Sequence, residues 1–424
     1  MNTHKPLLFF TRIRAEMGPN YKYGALRLPS MFATADSERA VTPPMGWNSW
    51  NAFSCDVTED DIRDAADLLV DTGLRDAGYE YLVVDDCWMA EEVAEDGRLR
   101  PHPEDFPSGV EALAEYVHDR GLKFGIYSSA GDATCQGYPA SLGRERTHAR
   151  QFADWGVDYL KYDNCGDHRG EDAIARYGAM GRALADVDRD ITYSICEWGE
   201  NQPWLWGRNA GGDLWRATHD IVLKWSTEPT EFGLGVVDIV DRMDDLDIAP
   251  YHGPGGWNDP DMLQVGNGPD SGQSQLEDIE IERGLTAAEE RTHFSFWCLF
   301  AAPLMAGNDL SAMDERTRAI LTNEDAIAID QDPLGIQGTR DGVHGETEVW
   351  SKRLAGGDCA VILFNRGEAP TDIETTVETI DSPVDAESYT VDDVWNDRTF
   401  ETEGSLHATV GSHDVAMFRV RPGQ

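Results

Sequence analysis

The sequence predicts an α/β protein in which a (β/α)8 TIM barrel is followed by a small C-terminal antiparallel β-sandwich domain. Two observations carry this prediction. From Val41 to Asp332, short apolar runs alternate with amphipathic segments of helical period, as in a barrel of parallel strands. After Gly335 the helical period disappears, and segments such as TEVWSKRL and VAMFRV alternate apolar with polar residues. A doubly wound sheet is the alternative, but no glycine-rich phosphate-binding turn follows any predicted strand.

Each repeat of the predicted barrel pairs one apolar strand with an amphipathic helix. The predicted strands are residues 45–50, 80–85, 123–129, 158–163, 191–196, 214–219, 255–262 and 304–309. The predicted helices are residues 58–76, 108–120, 143–155, 171–187, 235–246, 289–302 and 312–321. The polar, acidic segment 267–284 interrupts the pattern, and we interpret it as a surface loop.

These patterns divide the chain into three parts. Residues 1–38 form a predicted N-terminal extension, residues 39–332 the barrel, and residues 333–424 the C-terminal antiparallel β domain. The opening of the chain has only the short apolar patch LLFF and no small-residue cleavage site, so it is not a standard secretory signal. This favours the cytoplasm, with an extracellular location as the alternative.

The charge balance is strongly acidic. Asp and Glu number 78, Lys and Arg number 35, and the net charge is −43. Nucleic acid is excluded as a partner because its phosphates require a positive surface. No apolar run is long enough to span a membrane. The acidity is spread along the whole chain, and it predicts adaptation to high salt, where repulsion between surface charges is screened.

Charged side chains stand where buried strands end. In YLKYDNC, Lys161 and Asp163 are two residues apart, so both point to the same face of the strand. The other predicted strand ends carry more carboxylates and aromatic rings, in the motifs GWNSW, DDCW, YSSAGD, CEW, WRATHD and GGWNDPDM. Aromatic faces pack on sugar rings and carboxylates bind hydroxyl pairs, so this collection at the catalytic end of a barrel predicts a carbohydrate site. Two carboxylates flanking a glycosidic bond would make it a hydrolase.

These sequence motifs also indicate a resemblance to a known protein family. The chain resembles the glycoside hydrolase family 27 α-galactosidases (melibiases) from about residue 41 to 335. The resemblance is carried, in order, by PPMGWNSW, GYEYLVVDDCW, FPSG, GLKFGIYS, FADWGVDYLKYDNC, YSICEW, GPGGWNDPDML and IAIDQDPLG. It is weak in the N-terminal segment, the 267–284 loop and the β domain.

The resemblance implies a retaining exo-α-galactosidase that acts on melibiose- or raffinose-type galactosides without a cofactor. Asp163 takes the position of the nucleophile and Asp220 that of the general acid/base. We expect Lys161 to lower the proton affinity of Asp163, so that the nucleophile stays ionised. The implied substrate-binding residues are Trp50, Asp85, Asp86, Tyr127, Lys161, Glu197, Trp198, Arg216 and Met262.

Seven cysteines are too few for a disulfide scaffold, and neither CxxC nor HExxH spacing indicates zinc. The resemblance implies bridges between Cys55 and Cys87 and between Cys135 and Cys165. The alternative is four reduced thiols, as in most cytosolic proteins. The three other cysteines, Cys196, Cys298 and Cys359, are then expected to be free core thiols.

Other functions remain open at this point. An α-N-acetylgalactosaminidase or a β-L-arabinopyranosidase of the same family would use the same fold. Asp259 and Asp261 beside Asp85 and Asp86 could be read as metal ligands, but no histidine cluster accompanies them. A non-catalytic galactose-binding barrel is disfavoured because both catalytic carboxylates are present. A homo-oligomer is possible, and the sequence leaves the number of subunits open.

Overall fold

A computed structural model describes residues 39–228, 233–272, 281–381 and 386–423 of the chain. The predicted N-terminal extension and the middle of the 267–284 loop lie outside the described residues. The described ends of that loop, 267–272 and 281–284, contain neither a strand nor an α-helix. No α-helix in the described ranges is long and apolar enough to cross a membrane.

The first part of the described chain is a curled sheet of eight parallel strands, which confirms the predicted TIM-like fold. The strands pair in the order β7-β6-β5-β4-β3-β2-β1-β8, so the first and last strands are neighbours. Each strand lies within or close to its predicted range, although several are shorter. The strands are β1 (Met45–Asn48), β2 (Tyr81–Val84), β3 (Lys123–Ser129), β4 (Tyr159–Asp163), β5 (Thr192–Ile195), β6 (Leu214–Arg216), β7 (Trp257–Asp259) and β8 (Leu304–Ala306).

Helices connect the strands and cover the outside of the sheet. Several begin at a residue whose side chain caps the helix, as at Thr58 and Thr286, where an acidic residue three positions later completes a capping box. Two short helices, Trp50–Phe53 and Glu324–Asp330, were not predicted. The helices are α1 (Trp50–Phe53), α2 (Glu59–Asp71), α3 (Val110–His118), α4 (Glu145–Asp154), α5 (Ala173–Ala185), α6 (Val236–Asp245), α7 (Ala287–Phe300), α8 (Glu315–Leu321) and α9 (Glu324–Asp330).

Close backbone contacts join neighbouring strands within the sheet and also its two ends. Gly46 on β1 lies opposite Tyr81 on β2, and a β-carbon at Gly46 would come within 2.4 Å of the Tyr81 carbonyl oxygen. Between β7 and β8 no strand pairing is recorded among the described residues. The Leu263 N–H just after β7 nevertheless donates to the carbonyl oxygen of Met305 on β8, at 2.8 Å.

The C-terminal part is an antiparallel β domain, as the period of two predicted. Six strands pair in the order β14-β13-β16-β11-β10-β9, and β12 pairs with β15 in a second sheet. A separate apolar cluster that includes Val361, Leu363, Leu406 and Phe418 forms its core. The strands are β9 (Thr339–His344), β10 (Thr347–Arg353), β11 (Cys359–Asn365), β12 (Thr371–Thr376), β13 (Tyr389–Asp393), β14 (Arg398–Thr402), β15 (Ser405–Val410) and β16 (Asp414–Pro422).

The β domain packs on the barrel through helix α7. The Arg291 guanidinium bonds the Asp414 carboxylate, and the Thr292 hydroxyl donates to the His413 carbonyl oxygen at 2.8 Å. Between the two parts, the buried Lys352 ammonium on β10 donates to the Cys298 carbonyl oxygen at 2.8 Å. The interface is therefore built from charged and polar contacts as well as apolar packing.

Candidate active site

A cavity of about 680 Å³ opens where the barrel strands end. It collects side chains that are far apart in the chain because parallel strands bring their carboxyl ends to one edge. All the predicted catalytic and substrate-binding residues except Glu197 line it: Trp50, Asp85, Asp86, Tyr127, Lys161, Asp163, Trp198, Arg216, Asp220 and Met262.

Asp163 is the last residue of β4, and its carboxylate is almost fully buried. The Tyr127 hydroxyl donates to one oxygen at 3.0 Å and the Asn164 N–H to the other at 2.8 Å. Burial raises the pKa of Tyr127, so its hydroxyl remains a donor. Burial also raises the pKa of Asp163; the Lys161 charge opposes this rise, and the Asp220 charge adds to it. Lys161 therefore lowers the proton affinity of Asp163 as expected, but burial outweighs this contribution and the net pKa is raised.

Lys161 points at a different carboxylate from the one expected. Its ammonium donates to Asp85 at 2.7 Å, and the Asn48 amide donates to the same oxygen at 2.6 Å. Burial disfavours the charge, but the Asp85 and Asp163 carboxylates together raise the pKa of Lys161. The ammonium also lies 5.4 Å from the centre of the Tyr127 ring. The charge pair at the end of β4 is thus part of a network that holds Asp85, Lys161 and Asp163 around one cavity.

Asp86 is held by backbone donors beside the two disulfide bridges. The Cys87 N–H donates to one oxygen at 2.7 Å and the Gln136 N–H to the other at 3.0 Å. Burial raises the pKa of Asp86 to about 6, against the pull of these two N–H groups. The predicted Cys55–Cys87 and Cys135–Cys165 bridges are both formed in the structure, and the other three cysteines are free and buried. The bridges thus fasten the chain next to both backbone donors of Asp86.

Asp220 lies across the cavity in a more open setting. The side chain is 44% exposed, and its carboxylate accepts a hydrogen bond of 2.9 Å from the buried Arg216 guanidinium. The other end of the same guanidinium lies 2.8 Å from Asp261. Asp261 has a positive φ of 97° and also accepts the Ile221 N–H at 2.7 Å. Arg216 therefore joins Asp220 to a second, fully held carboxylate.

Glu197 differs from the other predicted substrate-binding residues in its position, and its contact with sugar hydroxyls stays a prediction. Glu197 does not line the cavity, and both of its oxygens accept the Asn201 N–H, at 3.1 and 3.0 Å. The next residue, Trp198, has a positive φ of 60° and does line the cavity. The acid that reaches the cavity from this turn is Glu200. Sequence reasoning missed Glu200 because a turn with positive φ breaks the alternation of faces on which a strand-based prediction relies.

The cavity has further lining residues that the sequence analysis did not assign to it. Asp261 was considered as a metal ligand, not as a residue that lines the cavity. His219 lies inside the motif WRATHD, so the sequence contained a signal for it. No motif near Leu234 indicated a residue that lines a cavity. The unassigned lining residues are Asn51, Cys135, Gln136, Cys165, Glu200, His219, Ile221, Val222, Gly233, Leu234 and Asp261.

A metal site was considered for the acidic residues. Asp261 is committed to Arg216, and Asp259 accepts the Asp261 N–H at 2.8 Å. Across the described ranges, one trio of potential ligands lies close together: Cys135, Asp163 and Cys165. Its two sulfurs are joined in a disulfide, so only a single carboxylate is available as an anionic ligand.

Comparison with known proteins agrees with this geometry. The family model described as alpha galactosidase A matches residues 42–332, and that of the alpha galactosidase C-terminal beta sandwich domain matches residues 344–420. Alpha-galactosidase 3 of Arabidopsis thaliana is 43% identical over 407 residues, which cover 94% of this chain and 85% of that protein.

Two solved structures are similar over nearly their whole length. Alpha-galactosidase I from Mortierella vinacea has a TM-score of 0.85 at 34% identity, covering 92% of this chain and 99% of its own. The alpha-galactosidase from Saccharomyces cerevisiae, solved with raffinose, has a TM-score of 0.81 at 31% identity, covering 91% and 98%. The similarity therefore extends over both the barrel and the β domain.

Proposed function

We propose that Asp163 and Asp220 perform a double displacement at a terminal α-galactosyl residue. The proposal follows from family membership, since this chain belongs to the glycoside hydrolase family 27 α-galactosidases. The chain is a glycoside hydrolase of the α-galactosidase type. The observation that carries the assignment of roles is that both carboxylates line one cavity in unlike surroundings.

The two settings fit two different roles. Asp163 is buried and accepts hydrogen bonds at both oxygens, which leaves a fixed carboxylate for attack on the anomeric carbon. Asp220 is more exposed and therefore has access to the leaving oxygen and to water. Asp220 first donates a proton to the departing oxygen while Asp163 forms a galactosyl ester. Water then attacks the ester, with Asp220 as the base, and the configuration is retained overall.

The charged half of the cavity binds the galactosyl ring. Asp85 and Asp86 accept hydrogen bonds from ring hydroxyls, and Lys161 donates to them. These groups are held by the protein before the sugar arrives, since Asp85 is paired with Lys161 and Asp86 with two N–H groups. Trp50 and Met262 supply apolar surface for the ring. The raffinose in the yeast relative supports a raffinose- or melibiose-type galactoside as substrate.

Time-resolved proton NMR of p-nitrophenyl α-galactoside hydrolysis tests this proposal. We expect α-galactose to appear first and the β-anomer to form only later, by mutarotation. A β-configured first product would contradict the two-step mechanism. The same assay with α-N-acetylgalactosaminide and β-L-arabinopyranoside substrates tests the sugar specificity, and we expect the galactoside to have the highest kcat/KM.

A further inference from the structure

We propose that the leaving group of the substrate packs on an apolar wall formed by Ile221, Val222, Gly233 and Leu234, so that the protein prefers α-galactosides whose aglycone presents apolar surface. The inference rests on the proposed role of Asp220. It adds a substrate class to that function, because the galactosyl ring alone says nothing about what is attached to it.

The position of Asp220 dictates where the aglycone lies. A general acid must come within hydrogen-bond reach of the oxygen that it protonates. The first atoms beyond that oxygen therefore contact the cavity wall next to Asp220. Ile221 and Val222 follow Asp220 directly in the chain and are almost fully buried, whereas Gly233 and Leu234, which line the cavity with them, are partly exposed.

This wall is fastened to Asp220 by its backbone. The Leu234 N–H donates to the Asp220 carbonyl oxygen at 2.9 Å, and the Val222 N–H donates to the Leu234 carbonyl oxygen at 2.9 Å. Gly233 has a positive φ of 76°, and a β-carbon there would come within 2.4 Å of Val222 and 2.9 Å of the Asp220 carbonyl oxygen. Glycine therefore lets the two stretches approach closely, and the wall keeps its place relative to the acid.

The wall differs in chemistry from the sugar-binding half of the cavity. Its four residues carry no charged or hydrogen-bonding side chain, whereas Asp85, Asp86 and Lys161, which line the same cavity, are all ionisable. Leu234 is only half-buried and packs on the edge of the barrel core, which leaves part of its side chain for a ligand. Apolar surface of an aglycone placed there leaves water, and this lowers the free energy of the transition state as well as that of the bound substrate.

Straight-chain alkyl α-galactosides from methyl to hexyl test the wall, because their leaving alcohols have nearly the same acidity. We expect kcat/KM to rise by up to about fourfold for each of the first few methylene groups, which is the value for a fully buried methylene. A flat or falling series would overturn the proposal. Failure to hydrolyse even the methyl and p-nitrophenyl galactosides would instead overturn the proposed function on which it rests.

Single substitutions test whether the apolar wall produces the dependence of kcat/KM on chain length. Leu234→Ser is expected to flatten the dependence on chain length while leaving inhibition by free galactose unchanged, because galactose occupies only the charged half. Leu234→Met keeps the apolar surface and is expected to retain the dependence, even if the serine variant folds poorly. Leu205→Ser is the matched control, since Leu205 is 50% exposed and does not line the cavity. A chain-length dependence that survives Leu234→Ser, or is lost in Leu205→Ser, contradicts the assignment.

Discussion

Two lysines, one at the barrel mouth and one between the barrel and the β domain, have pKa values shifted in opposite directions. Lys161 touches the Asp85 carboxylate directly, and its pKa is raised although burial opposes the charge. Lys352 donates to a carbonyl oxygen, and burial lowers its pKa to about 8 in spite of the nearby Asp330. Direct contact with a carboxylate therefore favours the charged form of Lys161, whereas burial at the interface disfavours that of Lys352.

The aspartates of the two regions also differ. Burial raises the pKa of both Asp163 and Asp330. Asp163 accepts two hydrogen bonds and faces the cavity, whereas the Oδ1 atom of Asp330 has no hydrogen-bond partner among the described residues. At the barrel mouth the buried carboxylate of Asp163 is placed where it can react. At the interface, burial only disfavours the charged form of Asp330.

The largest expected effect separates these two aspartates. Asp163→Asn should lower kcat by about 10⁴-fold or more, because the nucleophile is lost, with little change in stability. Asp330→Asn should leave kcat within about twofold and raise the urea midpoint, because a neutral amide replaces a carboxyl group whose charged form is disfavoured by burial. Steady-state kinetics and urea unfolding of both variants measure this. Substantial turnover by Asp163→Asn would remove Asp163 from the mechanism.

Substitution of the two lysines is expected to separate an effect on activity from an effect on stability in the same way. Lys161→Met should lower kcat/KM by about 100-fold, because the sugar loses a charged donor and Asp85 its partner. Lys352→Met should instead cost about 1–3 kcal/mol of folding free energy with kcat/KM nearly unchanged, because the buried Cys298 carbonyl oxygen loses its donor. Lys123→Met is the control, since Lys123 is a half-exposed lysine paired with Glu80 at 2.6 Å, and it should change neither property. Equal effects of Lys352→Met and Lys161→Met on kcat/KM and on folding free energy would contradict the different roles assigned to the two lysines.

The depressed pKa of Lys352 predicts a pH dependence of stability. Above pH 8 folded Lys352 releases its proton, whereas the unfolded chain keeps the proton up to an ordinary lysine pKa of about 10.4. Because the unfolded state then binds more protons, stability should rise with pH in this window, by at most about 1.4 kcal/mol per pH unit. Urea unfolding of the wild type and Lys352→Met from pH 7.5 to 10 measures it, and the difference between the two should grow with pH. A constant difference would show that Lys352 keeps its charge in the folded state.

Salt should have the smallest effect on this comparison. We expect molar KCl to raise the unfolding midpoint of every variant, because it screens the repulsion produced by a net charge of −43. The stability difference between the wild type and Lys352→Met should change by less than about 0.5 kcal/mol, since a buried group is screened much less. Thermal unfolding at low and high salt checks both statements. A midpoint that does not rise with salt would contradict the predicted high-salt adaptation.

Much of the site could be predicted because barrel topology turns positions in the chain into positions in space. Asp85, Asp163 and Arg216 each stand at or directly after the end of a buried strand, and all three line one cavity. The same reasoning could not foresee that Glu197 lies outside the cavity lining and Glu200 within it, because the positive φ of Trp198 redirects the chain after β5. It also missed Leu234, which reaches the cavity from a connecting segment rather than from a strand end.

The sequence by itself determined the alternation of strands and helices, the β domain, the cysteine pairs implied by family resemblance and the side chains available at the strand ends. These depend on local period and on residue identity, which a linear sequence contains. Only the tertiary structure decided that Lys161 pairs with Asp85, that Arg216 joins Asp220 to Asp261 and that burial raises the proton affinity of Asp163. Proton affinities and ion pairs depend on distances and on the exclusion of water, and both arise only when distant parts of the chain come together.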